Sequence, residues 1–160
     1  MTTLRPMQVE TYSAYVESAI KGYAEDNVAA GRWPRAGAIE RSRENFESLL
    51  PRGLDTPDNF LFEILEERGL IAGYVWYALE RKHGACGAYI YDLEVKPEHR
   101  RKGHAYRALK ALELVAAEAG ATSIGLNVFA NNIGAQSLYQ KLGYAPTNLN
   151  MHKPLERSGA

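Results

Sequence analysis

The chain has 160 residues, 46% of them hydrophobic and 24% charged, which suits one domain around one core. Lys and Arg number 19, and so do Asp and Glu; the zero formal charge argues against a protein built to coat nucleic acid or an anionic membrane. The single cysteine, Cys86, excludes an internal disulfide.

The first ten residues hold Arg5, Pro6 and Glu10 and no long apolar run, so neither a signal peptide nor a membrane span is expected, and the cytoplasm is the default location. Residues 2–6 suit a short strand. Tyr12, Tyr15, Val16, Ala19, Ile20 and Tyr23 recur at three- and four-residue steps and predict a helix that Gly31 and Pro34 break. A second helix places Ile39, Phe46, Leu49 and Leu50 on one face and stops at Pro51 and Gly53; residues 54–59 read as a loop. Strands follow at 60–65 and 70–79, joined by a turn ending in Gly69. The second is nearly all apolar, as a central strand would be. A third spans 88–95 and ends before Pro97, which has no amide to donate. Ala105, Ala108, Leu109, Leu112, Val115 or Ala116, and Ala119 stripe the next helix, with Gly120 as its stop. Residues 123–129 predict a strand. Asn131 and Asn132 offer an N-cap for a helix facing inward through Ala135, Leu138, Tyr139 and Leu142, closed by Gly143. A last extended piece is expected within 144–153, and a frayed tail after it. The order is β-α-α-β-β-β-α-β-α-β, an α/β domain over 1–160 with a mixed central sheet and a parallel crossover between 88 and 129.

Between the third of these strands and its helix lie Arg100, Arg101, Lys102, Gly103, His104 and Ala105. The first turn of a helix has amide donors without partners and partial positive charge, and phosphates bind there. Gly103 and the small Ala105 let an oxygen approach the backbone, and the three cations add charge. On this physics alone an ordinary solvated basic turn is equally good. The phosphate-loop and dinucleotide glycine patterns are missing.

Arg100-x-x-Gly103-x-Ala105 resembles the central motif of the GCN5-related N-acetyltransferase (GNAT) superfamily, Arg/Gln-x-x-Gly-x-Gly/Ala, with Ala where Gly is commoner. Asn132, Ala135, Leu138, Tyr139, Gly143 and Tyr144 are spaced like its second motif, Asn-x-x-Ala-x-x-Leu-Tyr-x-x-x-Gly-Phe, and Met151, Lys153 and Leu155 are similar to its final strand. The resemblance covers residues 59–155 well; before that, only the strand–helix–helix layout matches. It implies a GNAT-like fold, acetyl-CoA as cofactor and acyl transfer to a primary amine by direct attack in a ternary complex. The alternative is a non-catalytic CoA-binding regulatory module on the same fold.

Residue by residue, the resemblance implies that Arg100, Arg101, Lys102, Gly103, His104 and Ala105 hold the pyrophosphate. Backbone groups of Leu93 and Val95 would meet the pantetheine arm and thioester, with the Val95 amide as oxyanion donor. Asn132 and Ala135 would contact CoA, capping by Asn131 leaving Asn132 free. Tyr139 would be the general acid for the departing thiolate, with His104 pointing into the phosphate loop. Asp92 and Glu94 share a strand face opposite Leu93 and Val95; Glu94 ranks first as base. The acceptor pocket draws on Tyr23, Glu25, Asp26, Trp33, Trp76, Asn127 and Phe129, with Trp33 expected as a hydrophobic plug. No metal is expected, because His83, His99 and His152 lack ligand spacing, and Cys86 has no neighbouring base for a covalent route. A monomer or homodimer is expected, with no nucleic-acid or membrane partner.

Overall fold

The computed structural model describes residues 1–159. Its elements are β1 (Thr3–Pro6), α1 (Val9–Ala29), α2 (Ala38–Leu49), β2 (Asn59–Leu65), β3 (Ile71–Lys82), β4 (Ala85–Val95), a 3-10 turn at Pro97–His99, α3 (His104–Glu118), β5 (Ser123–Leu126) and α4 (Ile133–Lys141). The strands lie side by side in chain order, antiparallel except for the parallel β4–β5 pair, whose crossover is α3. The mixed α/β sheet read from the sequence is therefore present.

Two expectations need correction. The last extended piece forms no strand: 144–159 carry no regular element, and Leu149 and Met151, which alternate as strand residues would, are exposed. β5 ends at Leu126, short of the expected 129, so it presents a short edge, and Pro146 and Pro154 could not donate to one. In α2 the buried side is Ala38, Ser42 and Phe46, leading to Leu50, while Ile39 and Leu49 are exposed. Small residues four apart allow the two helices to approach, and Ser42 Oγ donates to the Ile20 carbonyl at 2.7 Å.

The sheet separates two apolar layers. On one face Ile64, Val75, Tyr77, Leu79, Ala88 and Ile90 pack against Leu109, Leu112 and Ala116 of α3, with Leu138 and Tyr139 of α4 alongside. On the other, Leu61 and Trp76 pack against Tyr15, Ala19 and Ile20 of α1 and Phe46 of α2. Trp76 is buried and donates Nε1 to Asn59 Oδ1 at 2.9 Å, so it belongs to the core and does not line an acceptor pocket.

Glu63 is the charge within this second layer, fully buried on β2 opposite Arg5 of β1. Arg5 Nε donates to Oε2 at 2.7 Å and the Gln8 amide to Oε1 at 3.2 Å. Burial alone raises the Glu63 pKa, but hydrogen bonds from Thr11, Arg5 and Gln8 outweigh it and hold the carboxyl below its ordinary value. A carboxyl lowered in the fold contributes stability above its unfolded pKa, lost as pH falls through the folded one. Glu63→Gln is expected to lower stability by about 1–3 kcal/mol at neutral pH. The gap to wild type should close below about pH 4. Thermal unfolding of both proteins at the two pH values checks this; a constant gap would show that the charge contributes nothing.

Candidate active site

The site begins with an irregularity in β4. Trp76 stands opposite Asp92 while Tyr77 stands opposite Ile90, which leaves Tyr91 as an extra residue. A bulge of this kind bends the strand and shifts the phase of its side chains. Ala88 and Ile90 face α3, but Tyr91 stacks on Trp76 at 4.7 Å and Asp92 reaches Tyr15 of α1. Without the bulge Asp92 would point into the α3 layer.

The bulge also marks where the sheet opens. Parallel pairing with β5 runs from Gly87↔Ser123 to Ile90↔Leu126 and goes no further. Beyond it, residues 91–95 have β3 on one side and no strand on the other. The Lys96 amide bonds the Ala72 carbonyl at 2.8 Å. By antiparallel alternation the Leu93 and Val95 amides then face away from β3, into the opening. The Leu93 amide also bonds the Asp92 carboxylate. Val95 therefore offers a backbone donor at the gap.

Asp92 is half-buried and accepts a hydrogen bond from the Tyr15 hydroxyl at 2.7 Å. Burial pushes its pKa up from 3.8 to about 6; Tyr15 and the Leu93 amide oppose the rise, and the charges of Glu94 and Asp26 add to it. The Tyr15 hydroxyl, buried beside that carboxylate, is raised well above 10 and remains a donor. Tyr139, on the α3 face, is also raised, first by burial and then by the charge of Asp92. The gap beside β4 thus brings a phenol on one face of the sheet under the charge of an acid on the other. Glu94, ranked first from the sequence, lies on the same face as Asp92, but it is Asp92 that bonds Tyr15 and whose pKa is raised, chiefly by burial. Tyr15 signalled itself in the sequence only as part of a helical stripe.

The 100–103 turn has the geometry that an anion site needs. Arg101 and Gly103 both have left-handed backbones (φ 59° and 78°), which turns the chain into α3 and leaves that helix without a side-chain cap. Arg100, Arg101 and Lys102 are exposed, and Arg100 Nε ties the loop to the Val95 carbonyl at 2.9 Å. Arg107, one turn into α3, folds back to the Lys102 carbonyl at 2.7 Å and adds a cation that the sequence analysis did not single out. His104 departs from expectation. Its side chain is buried and turned away from the loop, with Nδ1 3.0 Å from Thr2 Oγ1, so only its backbone faces an anion.

Asn132 is itself the N-cap of α4, its Oδ1 accepting from the Ala135 amide at 3.1 Å, where Asn131 was the expected cap. Its amide nitrogen remains for another partner. On the acceptor side Tyr23 packs edge-on to Trp33 at 5.4 Å, and the Arg32 guanidinium lies 5.7 Å over Phe129, bringing the α1–α2 connection to the segment after β5. Trp33 is half-buried against Tyr23 and Arg41, as a plug would be. Because β5 stops at Leu126, strand alternation does not align Asn127 with Phe129. Asp26 is exposed with its pKa raised by partial burial and by Glu25, and its charge reaches Asp92. Cys86 sits at the opposite end of β4 from Asp92.

With that geometry in place, the likeness to known proteins is specific. The profile of the Acetyltransferase (GNAT) family matches residues 22–144. The uncharacterized N-acetyltransferase YycN of Bacillus subtilis (strain 168) is 38% identical over 152 residues, 95% of this chain and 97% of that one. A second protein of that organism, the uncharacterized N-acetyltransferase YdgE, is 35% identical over 96% of this chain and 98% of its own. The crystal structure of YycN superposes with a TM-score of 0.94 at 37% identity, covering 98% of this chain and all of the other. Among the described residues no helix is long and apolar enough to cross a membrane.

Proposed function

The chain belongs to the Acetyltransferase (GNAT) family and is an acyltransferase, and on that premise we propose that it moves an acetyl group from acetyl-CoA to a primary amine by direct attack. The observation that carries this reading is the gap beside β4, with a backbone donor at Val95, a raised carboxyl at Asp92 and a raised phenol at Tyr139 around one opening. Arg100, Arg101, Lys102 and the free amides of the first α3 turn hold the pyrophosphate, with Gly103 and Ala105 leaving room for it. Residues 93–95, Ala135 and the free amide nitrogen of Asn132 would line the path of the pantetheine arm. The thioester supplies the activated acyl group.

The amine arrives as a cation, drawn by Asp26, Asp92 and Glu94. Asp92 takes its proton, because a carboxyl with a pKa of about 6 is charged at neutral pH yet basic enough to accept one. The neutral amine attacks the carbonyl, and the Val95 amide stabilises the oxyanion. As the intermediate collapses, the C–S bond breaks and Tyr139 gives its proton to the departing sulfur, while the proton still on the nitrogen leaves through solvent and restores the phenol. A cysteine-linked intermediate has no support, since Cys86 lies at the far end of β4.

The test is CoA binding by calorimetry, followed by thiol release from acetyl-CoA over a panel of primary amines. A micromolar dissociation constant with turnover on at least one amine is expected. Binding without turnover on any would favour a regulatory module, and no binding would sink both. Tyr139→Phe is expected to lower kcat by about 10–10²-fold, below the usual range because a thiolate leaves unaided, while CoA affinity changes little. If affinity falls as much as kcat, Tyr139 is a packing residue.

A further inference from the structure

We propose that Glu66, His99 and His104 form a binding site for a divalent transition-metal ion of zinc type. The three come from the turn after β2, the 3-10 turn and the first residue of α3, and their ligand atoms lie within 4.8 Å of one another. Spacing along the chain predicts no metal for His99; the fold removes that argument by folding these separate segments together.

Three observations point to a ligand. First, His99 Nδ1 is buried and has no hydrogen-bond partner. An orphaned polar atom of this kind is costly, and buried imidazoles ordinarily find a partner. Second, its nearest charged neighbour, Glu66 Oε2, is 3.4 Å away, beyond a good hydrogen bond. Zinc bonds of about 2.0–2.2 Å in a tetrahedron place neighbouring donor atoms roughly 3.3–3.6 Å apart. The pair is thus already spaced as two ligands of one ion. Third, the His104 ring is held in place from its other side. Nδ1 lies 3.0 Å from Thr2 Oγ1, and in the tautomer that donates Nδ1–H to that hydroxyl the ring is fixed and Nε2 is left as the metal donor. The two imidazoles stand edge to face at 6.1 Å between centroids, so neither ring blocks the other.

The electrostatics are compatible. Arg107 is the opposing charge, but its guanidinium is engaged by the Lys102 carbonyl and Thr2 Oγ1. Two nitrogens and one carboxylate suit zinc with a water in the fourth position, while magnesium and calcium prefer oxygen-only sets. An ion here would clamp the 3-10 turn and the start of α3 to the sheet and stiffen the frame of the 100–103 loop from behind.

The experiment needs neither CoA nor an amine, so it stands whether or not the acyl-transfer reading does. Chelator-treated protein is titrated with Co2+, followed by the visible absorption of tetrahedral cobalt, and then with Zn2+ as competitor. One ion per chain is expected, with a rise in Tm that chelator reverses. His99→Asn and Glu66→Gln should each weaken binding at least about tenfold, and His83→Asn should leave it unchanged. Both lost ligands are only partly buried, and the wild-type stoichiometry stands even if one variant folds poorly. The proposal is overturned if the wild-type protein takes up no metal at micromolar concentration. It is equally overturned if both ligand variants bind as tightly as wild type, or if His83→Asn abolishes binding.

Discussion

Asp92→Asn is expected to lower kcat by at least about 10²-fold while leaving the fold as stable as wild type or more so. The two halves of that result come from one fact. The carboxyl is held at about 6 because burial disfavours its charge. Above pH 6 the folded protein carries a carboxylate that the unfolded chain would solvate better, at a cost on the order of 2–3 kcal/mol. Because the pKa is raised, that cost grows as pH rises from about 4 to 6 and is absent in more acidic solution. Asparagine keeps an oxygen for the Tyr15 hydroxyl and removes the charge, so Tm at neutral pH should hold or increase. Wild-type kcat/KM should rise with pH through about 6, as the base loses its proton, and this limb should vanish in Asp92→Asn. Neighbours move it in opposite senses. Glu94→Gln removes a like charge and shifts the limb to lower pH; Tyr15→Phe removes a hydrogen bond to the carboxylate and shifts it higher. If Glu94→Gln abolishes the limb and Asp92→Asn keeps it, the base is Glu94.

What the sequence disclosed depended on whether a feature was local. Arg100, Gly103 and Ala105 lie within six residues, and Asn132 to Tyr144 lie on one helix and its caps, so their resemblance to the family's motifs could be read along the chain. The order of strands and helices followed from periodicity and from Gly and Pro punctuation. Asp92 was visible as a strand acid, but its hydrogen-bonded position was not. That depends on one extra residue against β3, which period-2 reading cannot register, and on Tyr15 from a helix far away in the chain. His104 misled for the opposite reason: it stands inside the phosphate motif, yet its side chain is claimed by Thr2. The last strand failed because Leu149 and Met151 alternate correctly but find no long edge beside the short β5. In each case the deciding partner was remote in sequence.

Gly73→Ala is expected to damage both stability and turnover, by about 1–3 kcal/mol and about 10²-fold in kcat/KM. Gly73 lies in β3 opposite Val95, with no left-handed backbone to justify a glycine. The reason is contact. A Cβ there would fall 2.0 Å from the Glu94 carbonyl oxygen and 3.0 Å from Val95 Cα. These are backbone atoms in a paired strand and cannot swing aside as a flexible side chain would. Relief requires β4 to move away from β3 in the stretch that carries Glu94 and the Val95 amide. A displacement near 1 Å is enough to spoil an oxyanion donor, because such interactions depend on position more than on presence. Glycine inside a strand pattern signals close backbone approach, and here the approach sets where the donor stands. The control is Gly22→Ala in α1, where nothing lies within 4 Å of the added carbon and helix propensity favours alanine by up to about 1 kcal/mol. Wild-type Tm and kcat/KM in Gly73→Ala would mean that the strands separate freely and that Val95 is not held where the reaction needs it. A loss of kcat/KM with CoA affinity retained would instead place the damage at the oxyanion, since the 100–103 turn meets β4 at its end, through Arg100 and the Val95 carbonyl.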